Sequence, residues 1–227
     1  MAVKTYYLKS ASNAQGYADL ADSVTQGAAN SVHGWVPGTA ASGRFPLRSG
    51  GATSTLVDAT QPDGSIDTTN KDAIRSEAAL NGTFASGNWV FTFSCTGTVA
   101  TSSIDGRILF RLFKSANADG TSATEITAGI QTGSTLVDIS SSADTTTSTL
   151  TINPGAVVLA NQYLFIQVAW EQTGAGGMST SNVILRTGSS ASAGTRIATT
   201  DFTPSGGGAT PSLPRAPLAS YLHMLIR

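Results

Sequence analysis

The sequence predicts an all-β fold: an antiparallel jelly-roll-like β-sandwich with an extended N-terminal arm and a C-terminal tail. Three observations carry that expectation. Between residues 82 and 203, short runs of alternating or continuous apolar residues are separated by Gly, Asn, Asp and Ser clusters, the pattern of strands joined by turns. Before residue 82, large apolar side chains are too scattered for an independent core. After residue 203 the chain reads PSGGGATPSLPRAP, a mixture of Gly flexibility and Pro stiffness, and then LASYLHMLIR.

Residues 1–81 are expected to form an extended arm with one or two short helices. Tyr17, Leu20, Ala21 and Val24 recur at helical spacing, which predicts a helix over 14–26 ended near Gly27. A second helix is predicted over 71–80, with Asn70 as its N-cap and Gly82 just beyond its end. Between them, SVHGWVPGTAASGRFPLRSGG carries too much Gly and Pro for regular structure and is expected to lie extended on another surface. Trp35 and Phe45 are therefore candidate partner-binding residues. Arg44 and Arg48 join them, as guanidinium groups able to pair with a neighbour's carboxylates.

The body is expected at residues 82–203. In NWVFTFSC, Trp89, Phe91, Phe93 and Cys95 fall on one face of a strand, because side chains alternate. GRILFRLFK places Ile108, Phe110 and Leu112 inward and Arg107 and Arg111 outward, and a turn ending in Asp119-Gly120 follows. Further strands are expected over 125–130, 134–140, 148–153, 163–170, 182–187 and 196–202. YLFIQVAW loads both faces with apolar residues, as a central strand does. Before it, a Pro154-Gly155 turn and a short apolar link are expected to carry the chain from one sheet to the other. Such a body, of about 120 residues, buries roughly 65% of its extended surface, enough for an independent core. Cys95 is the single cysteine, so no intrachain disulfide can form.

Residues 204–216 read as a Gly/Pro linker and 217–227 as an apolar anchor. There Leu218, Tyr221, Leu222, Leu225 and Ile226 stand at i, i+3, i+4, i+7 and i+8, one stripe of a three-turn helix. The stripe can fold back on its own sandwich, as a helix or as an added strand with Leu222, Met224 and Ile226 inward. The long linker favours docking on another subunit.

Thirteen Lys plus Arg against fourteen Asp plus Glu leave a net charge of −1, so the positive field of a nucleic-acid binder is missing and no nucleic-acid partner is expected. No apolar run reaches the length of a membrane helix, and the N-terminal residues lack the apolar core of an export signal, so a soluble protein without a membrane partner is expected. No enzyme is expected either. His33 and His223 are the only histidines and sit in no recognisable motif, and neither G-x-S-x-G nor S-x-x-K occurs. PDGSID and NADG fall short of a calcium loop and read as Asx turns, so neither metal nor cofactor is expected. Asn81-Gly82-Thr83 reads as a helix end or turn, and the glycines at 174–177 as a hairpin loop. Glu171 follows Trp170 at the mouth of TGAGG, an arrangement that fits either a sugar-binding pair or a core Trp followed by an exposed strand-end Glu.

G-x-W-x-F-x-F at 87–93, G-R-I-L-F-R-L-F at 106–113, a Thr/Ser-rich middle, Y-L-F-I-Q-V-A-W at 163–170 and V-I-L-R-T-G at 183–188 together resemble the small β-sandwich structural proteins of tailed bacteriophages. The resemblance covers residues 82–203. It implies a homo-oligomeric virion protein, assembled in the host cytoplasm and attached to capsid, neck or tail through extended termini. Its partners are then copies of itself and other virion proteins. The same pattern also fits a glycan-binding or fibre module, in which Trp170 and Glu171 contact the sugar.

Overall fold

A computed structural model describes residues 3–12, 14–21, 34–35, 43–48, 53–54, 58–97, 104–139, 146–174, 183–185 and 194–205. Every regular element among them is a strand. The first 81 residues supply β1 (Val3–Ser12), β2 (Ala18–Ala21), β3 (Gly34–Trp35), β4 (Gly43–Pro46), β5 (Thr53–Ser54) and β6 (Ala73–Ser76), and they begin β7 (Leu80–Phe84). There follow β8 (Trp89–Gly97), β9 (Ile104–Ser115), β10 (Thr124–Glu125), β11 (Gln131–Thr132), β12 (Leu136–Ile139), β13 (Thr146–Ile152), β14 (Val157–Gly174), β15 (Val183–Leu185) and β16 (Arg196–Pro204).

The main strands of residues 82–203 follow the side-chain alternation of the sequence, but the strand expected over 125–130 is not formed: β10 ends at Glu125, and residues 126–130 make a bend before β11. Trp89, Phe91, Phe93 and Cys95 of β8 all point into the core, as do Ile108, Phe110 and Leu112 of β9. In β14, an 18-residue strand, Leu164, Ile166, Val168 and Trp170 join that core while Phe165 is buried on the opposite face. It is the central strand: β7 pairs with its first part, and β9, β6 and β4 with the rest. The Pro154-Gly155 turn precedes it. Gly155 has φ +75°, a left-handed conformation that costs glycine little, and its N–H donates to Asn153 Oδ1 at 3.0 Å.

Pairing closes the sheet on itself. β14 joins β6, β6 joins β2, β2 joins β1, β1 joins β16, β16 joins β7, and β7 returns to β14, giving a six-strand barrel. Closure satisfies backbone groups that an open sheet leaves at its edges. β8 extends this ring from β16, and β9 extends it from β14.

Neither expected helix is present among the described residues, the part of the first at 22–26 lying outside them. Residues 18–21 form β2 and 73–76 form β6, paired parallel with Ala18 opposite Ile74 and Leu20 opposite Ser76. All four residues of each are buried, so both faces of these strands are covered and no alternation marks them in the sequence. Asn70 does not cap a helix; its backbone and side-chain N–H groups donate to Asp67, closing a turn. Asn81 and Gly82 lie within β7, where a Cβ on Gly82 would sit 2.4 Å from the Thr203 carbonyl oxygen.

The N-terminal arm also needs correction where it is described. Tyr6, Leu8, Leu20, Trp35, Phe45 and Leu47 belong to the same core as Phe91 and Phe110. The surface on which these segments lie is the chain's own sheet. A few apolar residues suffice because each strand is added to a core that β8, β9 and β14 already supply. Each buried side chain of this kind contributes about 1.5–3 kcal/mol.

Aromatic contacts knit the layers. Phe91 meets Phe110 at a centroid distance of 4.5 Å, Phe93 meets Phe110 at 5.5 Å, and Phe84 meets Trp89 edge-on at 4.9 Å. Such pairs add about 0.5–1.5 kcal/mol each beyond the area they bury. On the reverse face of β9 and β14 a smaller cluster forms from Tyr17, Ile66, Ala73, Phe113 and Phe165. That face is not solvated, because residues 58–72 cross it as a strap.

Candidate functional site

The expected site residues fall into three groups. Trp35 and Phe45 are fully buried inside the chain's own core, so neither can serve a partner. Arg44 and Glu171 are brought together across β4 and β14. Leu218, Tyr221, Leu222, Leu225 and Ile226 lie outside the described residues, as do His33 and His223 and the loop after Gly174.

Trp170 is likewise fully buried, with its ring stacked on Trp35 at 6.1 Å and an interplanar angle of 29°. A sugar has no access to that ring. The glycan-binding expectation for Trp170 is therefore corrected and its place in the core holds, but Glu171 is neither exposed nor at a strand end, since β14 runs on to Gly174. Glu171 is no free carboxylate either. Arg44 Nε donates to its Oε1 at 2.9 Å, and Arg107 Nε donates to its Oε2. Burial pushes this carboxyl up, but the hydrogen bonds and charges of Arg44 and Arg107 outweigh it and hold Glu171 below the usual carboxylate range. Arg44 Nη1 also reaches the carbonyls of Ala59 and Gln61 at 3.3 and 3.5 Å, tying the start of the strap to the edge of the sheet. The expectation that Arg44 pairs with a neighbouring molecule is thus replaced by an intrachain pair.

The strap carries the densest polar arrangement. Its Asp58, Asp63 and Asp67 each accept the N–H of the residue two positions on, at 2.8–2.9 Å. These are Asx turns, as PDGSID suggests, and Asp119 in NADG makes the same turn to Thr121. Asp67 accepts from Thr69 and Asn70; although burial pushes its carboxyl up, these bonds and the nearby Arg48 charge hold it below its ordinary range. Arg48 is half-buried, and its Nε has no hydrogen-bond partner among the described residues.

The strap grips the sheet through β14 and β9. Gln167 of β14 is fully buried under it. The Gly64 N–H donates to Gln167 Oε1 at 3.2 Å. Gln167 Nε2 lies 3.2 Å from Gln61 Oε1, 3.0 Å from Asp63 Oδ1, 2.9 Å from the Ser65 carbonyl oxygen and 2.6 Å from Asp72 Oδ2. Arg111 Nε donates to the Pro62 carbonyl at 3.0 Å, and its Nη1 pairs with Glu125 at 3.1 Å. Asp72 is buried, and its other oxygen accepts the Asp67 N–H at 2.9 Å. Burial raises the Asp72 carboxyl to about 7; the Gln167 and Asp67 hydrogen bonds oppose that shift, and the charges of Asp67 and Asp63 add to it.

This buried polar hub has no counterpart in the sequence reading. Only the Gln within an otherwise apolar YLFIQVAW hinted that something polar had to cover that strand. Elsewhere, Cys95 is buried and its thiol is pushed up to about 12 by desolvation, which leaves it unreactive at neutral pH. Among the described residues no group of three or more His, Cys, Asp and Glu is placed to hold a metal ion. A small hollow lies among Tyr6, Leu20, Ser76, Glu77 and Leu80, where Glu77 is engaged by Lys9 Nζ at 2.8 Å. No protein-family model matches the chain, and no curated protein matches its sequence.

Proposed function

We propose that this protein is a non-enzymatic structural subunit of a tailed-bacteriophage virion. In this reading it is a jelly-roll-like sandwich that decorates the capsid or forms part of the neck or tail, and it attaches through the segment after Ser205. The observation that carries the reading is how the last described residue is held. The Ser205 N–H donates to the Asn81 carbonyl at 3.0 Å, and Asn81 Nδ2 donates back to the Ser205 carbonyl at 3.1 Å. Ser205, the last described residue, is therefore pinned to β7.

Ahead of that point lie the Gly/Pro-rich stretch and the apolar stripe of Leu218, Tyr221, Leu222, Leu225 and Ile226. A tether of this composition delivers an apolar anchor to a neighbouring subunit or another virion protein at high local concentration. Among the described N-terminal residues, Tyr6, Leu8, Leu20, Trp35, Phe45 and Leu47 are spent on the chain's own core. Facing strands β8 and β9 support the sandwich. They do not pair with one another, and they meet across the core through Phe91, Phe93 and Phe110, as two packed sheets do.

Sedimentation of the full chain and of a version ending at Ser205 tests this. The full chain is expected to self-associate in a concentration-dependent way, while the truncated chain keeps its β-type circular dichroism and sediments as a monomer. Identical sedimentation of the two would refute self-association through the tail.

A further inference from the structure

Two edges of the sheet are built differently. Along β9 the outer edge is broken into β10, β11 and β12, of two, two and four residues, with a register shift inside the last pairing. Short, interrupted edge strands resist pairing with another chain. The edge beyond β8 is the opposite. β13 pairs with β8 through seven consecutive residues, from Thr146 opposite Cys95 to Ile152 opposite Trp89, without a shift, and among the described residues no strand pairs with its other side. Its sequence, TTSTLTI, holds no charge, no proline and no glycine, and is rich in β-branched residues. It therefore presents a straight row of backbone N–H and C=O groups, with none of the residues that close an edge.

The side chains suit a further strand there. Thr147, Thr149 and Thr151 are exposed on the outer face, whereas Leu150 and Ile152 pack against the core yet are only half-buried. Ser148 is fully buried and donates to the Ser134 carbonyl at 3.1 Å, which holds the strand in place from its inner face.

We propose that β13 is a contact between copies of this chain, in which the β13 strands of two molecules pair antiparallel about a two-fold axis at Thr149 and join their sheets. A two-fold contact needs a surface complementary to itself. An uncharged strand meets that need, since self-pairing brings no like charges opposite each other. Thr149 is the centre of the strand, so only an axis there pairs its whole length. That axis sets Thr149 opposite Thr149 and Thr147 opposite Thr151 on the outer face, cross-strand pairs that favour a sheet. On the inner face it sets Leu150 opposite Ser148 and extends the cover over Leu150. Such a ladder is about 23 Å long and, at a sheet thickness of about 10 Å, covers roughly 230 Å² per copy. A stable complex covers roughly 800 Å² per partner, so this contact is weak alone and acts between copies already held close. Its use rests on the structural-subunit reading, in which many copies stand side by side; the pairing itself does not.

Disulfide trapping in the full chain, under mild oxidation, tests the pairing. Cys95 is buried and its thiol is pushed up to about 12, so it does not compete. Residues opposite each other in an antiparallel pair have Cα atoms about 4.5–5.5 Å apart, within the span of a disulfide. Thr149→Cys is expected to form a covalent dimer on the order of tenfold faster than Ser86→Cys, an exposed control between β7 and β8. Thr147→Cys is expected not to link to itself, since its two copies lie about 13 Å apart in that register, but to link to Thr151→Cys when the two chains are mixed. Thr149→Cys linking no faster than Ser86→Cys, or Thr147→Cys linking to itself as fast as to Thr151→Cys, would overturn the pairing, and tail attachment would survive if the full chain still self-associates. Faster linkage of Thr149→Cys to Leu222→Cys than to itself would give the edge to the tail and overturn it too. Specific Thr149 linkage in a chain whose tail makes no difference to sedimentation would uphold the edge and sink the tail.

Discussion

Gly106→Ala isolates one contact that the core cannot easily yield. A Cβ at this position would lie 2.2 Å from Trp170 Cζ2 and 2.5 Å from the Glu171 carbonyl oxygen. Carbon atoms pack at about 3.5–4.0 Å, so the ring or the β9 backbone must move by more than about 1 Å. Neither has room. Trp170 is fully buried against Trp35, and Glu171 is paired with Arg107 of β9 on one side and Arg44 of β4 on the other. Overpacking of this sort costs about 1–3 kcal/mol, and a clash with both a ring and a carbonyl belongs at the upper end. For a chain of this size each kcal/mol lowers Tm by roughly 2–4 °C, so a fall of about 6–12 °C is expected. Gly129→Ala is the control. Gly129 has φ +91° with no atom within 4 Å of a built Cβ, so it tests backbone strain without a clash and should cost about 1 kcal/mol. Thermal unfolding followed by circular dichroism, with tryptophan fluorescence as a second probe, measures both. A Gly106→Ala protein melting within about 1 °C of the unaltered chain, with unchanged fluorescence, would refute the packing argument.

Trp35→Ala should destabilise the full chain by about 3–5 kcal/mol in urea unfolding, because the residue is fully buried against Trp170; an unchanged midpoint would return Trp35 to the role of a partner-facing residue. On the acid side, Glu171, Asp67 and Asp58 are all held below their ordinary range, so they stabilise the fold above the unfolded carboxylate values and lose that contribution as pH drops through the folded ones. Glu171→Gln should therefore flatten part of the acid limb of a stability–pH curve while changing stability at neutral pH by less than about 1 kcal/mol, since the triad is partly exposed. An acid limb that is identical in the two proteins would show that Arg44 and Arg107 do not hold this carboxyl.

The sequence by itself determined the all-β class, the inward faces of β8, β9 and β14, and the Asx turns at Asp63 and Asp119. Each of these is local: alternation with a period of two, or a side chain bonding its own backbone two residues on, is written in neighbouring letters. What only the tertiary structure decided is long-range. The parallel pairing of β2 with β6, the closure of the six-strand ring, the burial of Trp35 and Trp170 against each other, and the meeting of Gln167 with Asp72 all join segments far apart in the chain. Strands buried on both faces, like β2 and β6, lose the alternation that would announce them. A Trp before a Glu reads the same whether its ring meets a sugar or another indole, because burial depends on the distant partner that arrives over it. The polar hub was hidden for the same reason: a Gln in an apolar strand and an Asp before a short strand acquire their chemistry only when the strap brings one within 2.6 Å of the other.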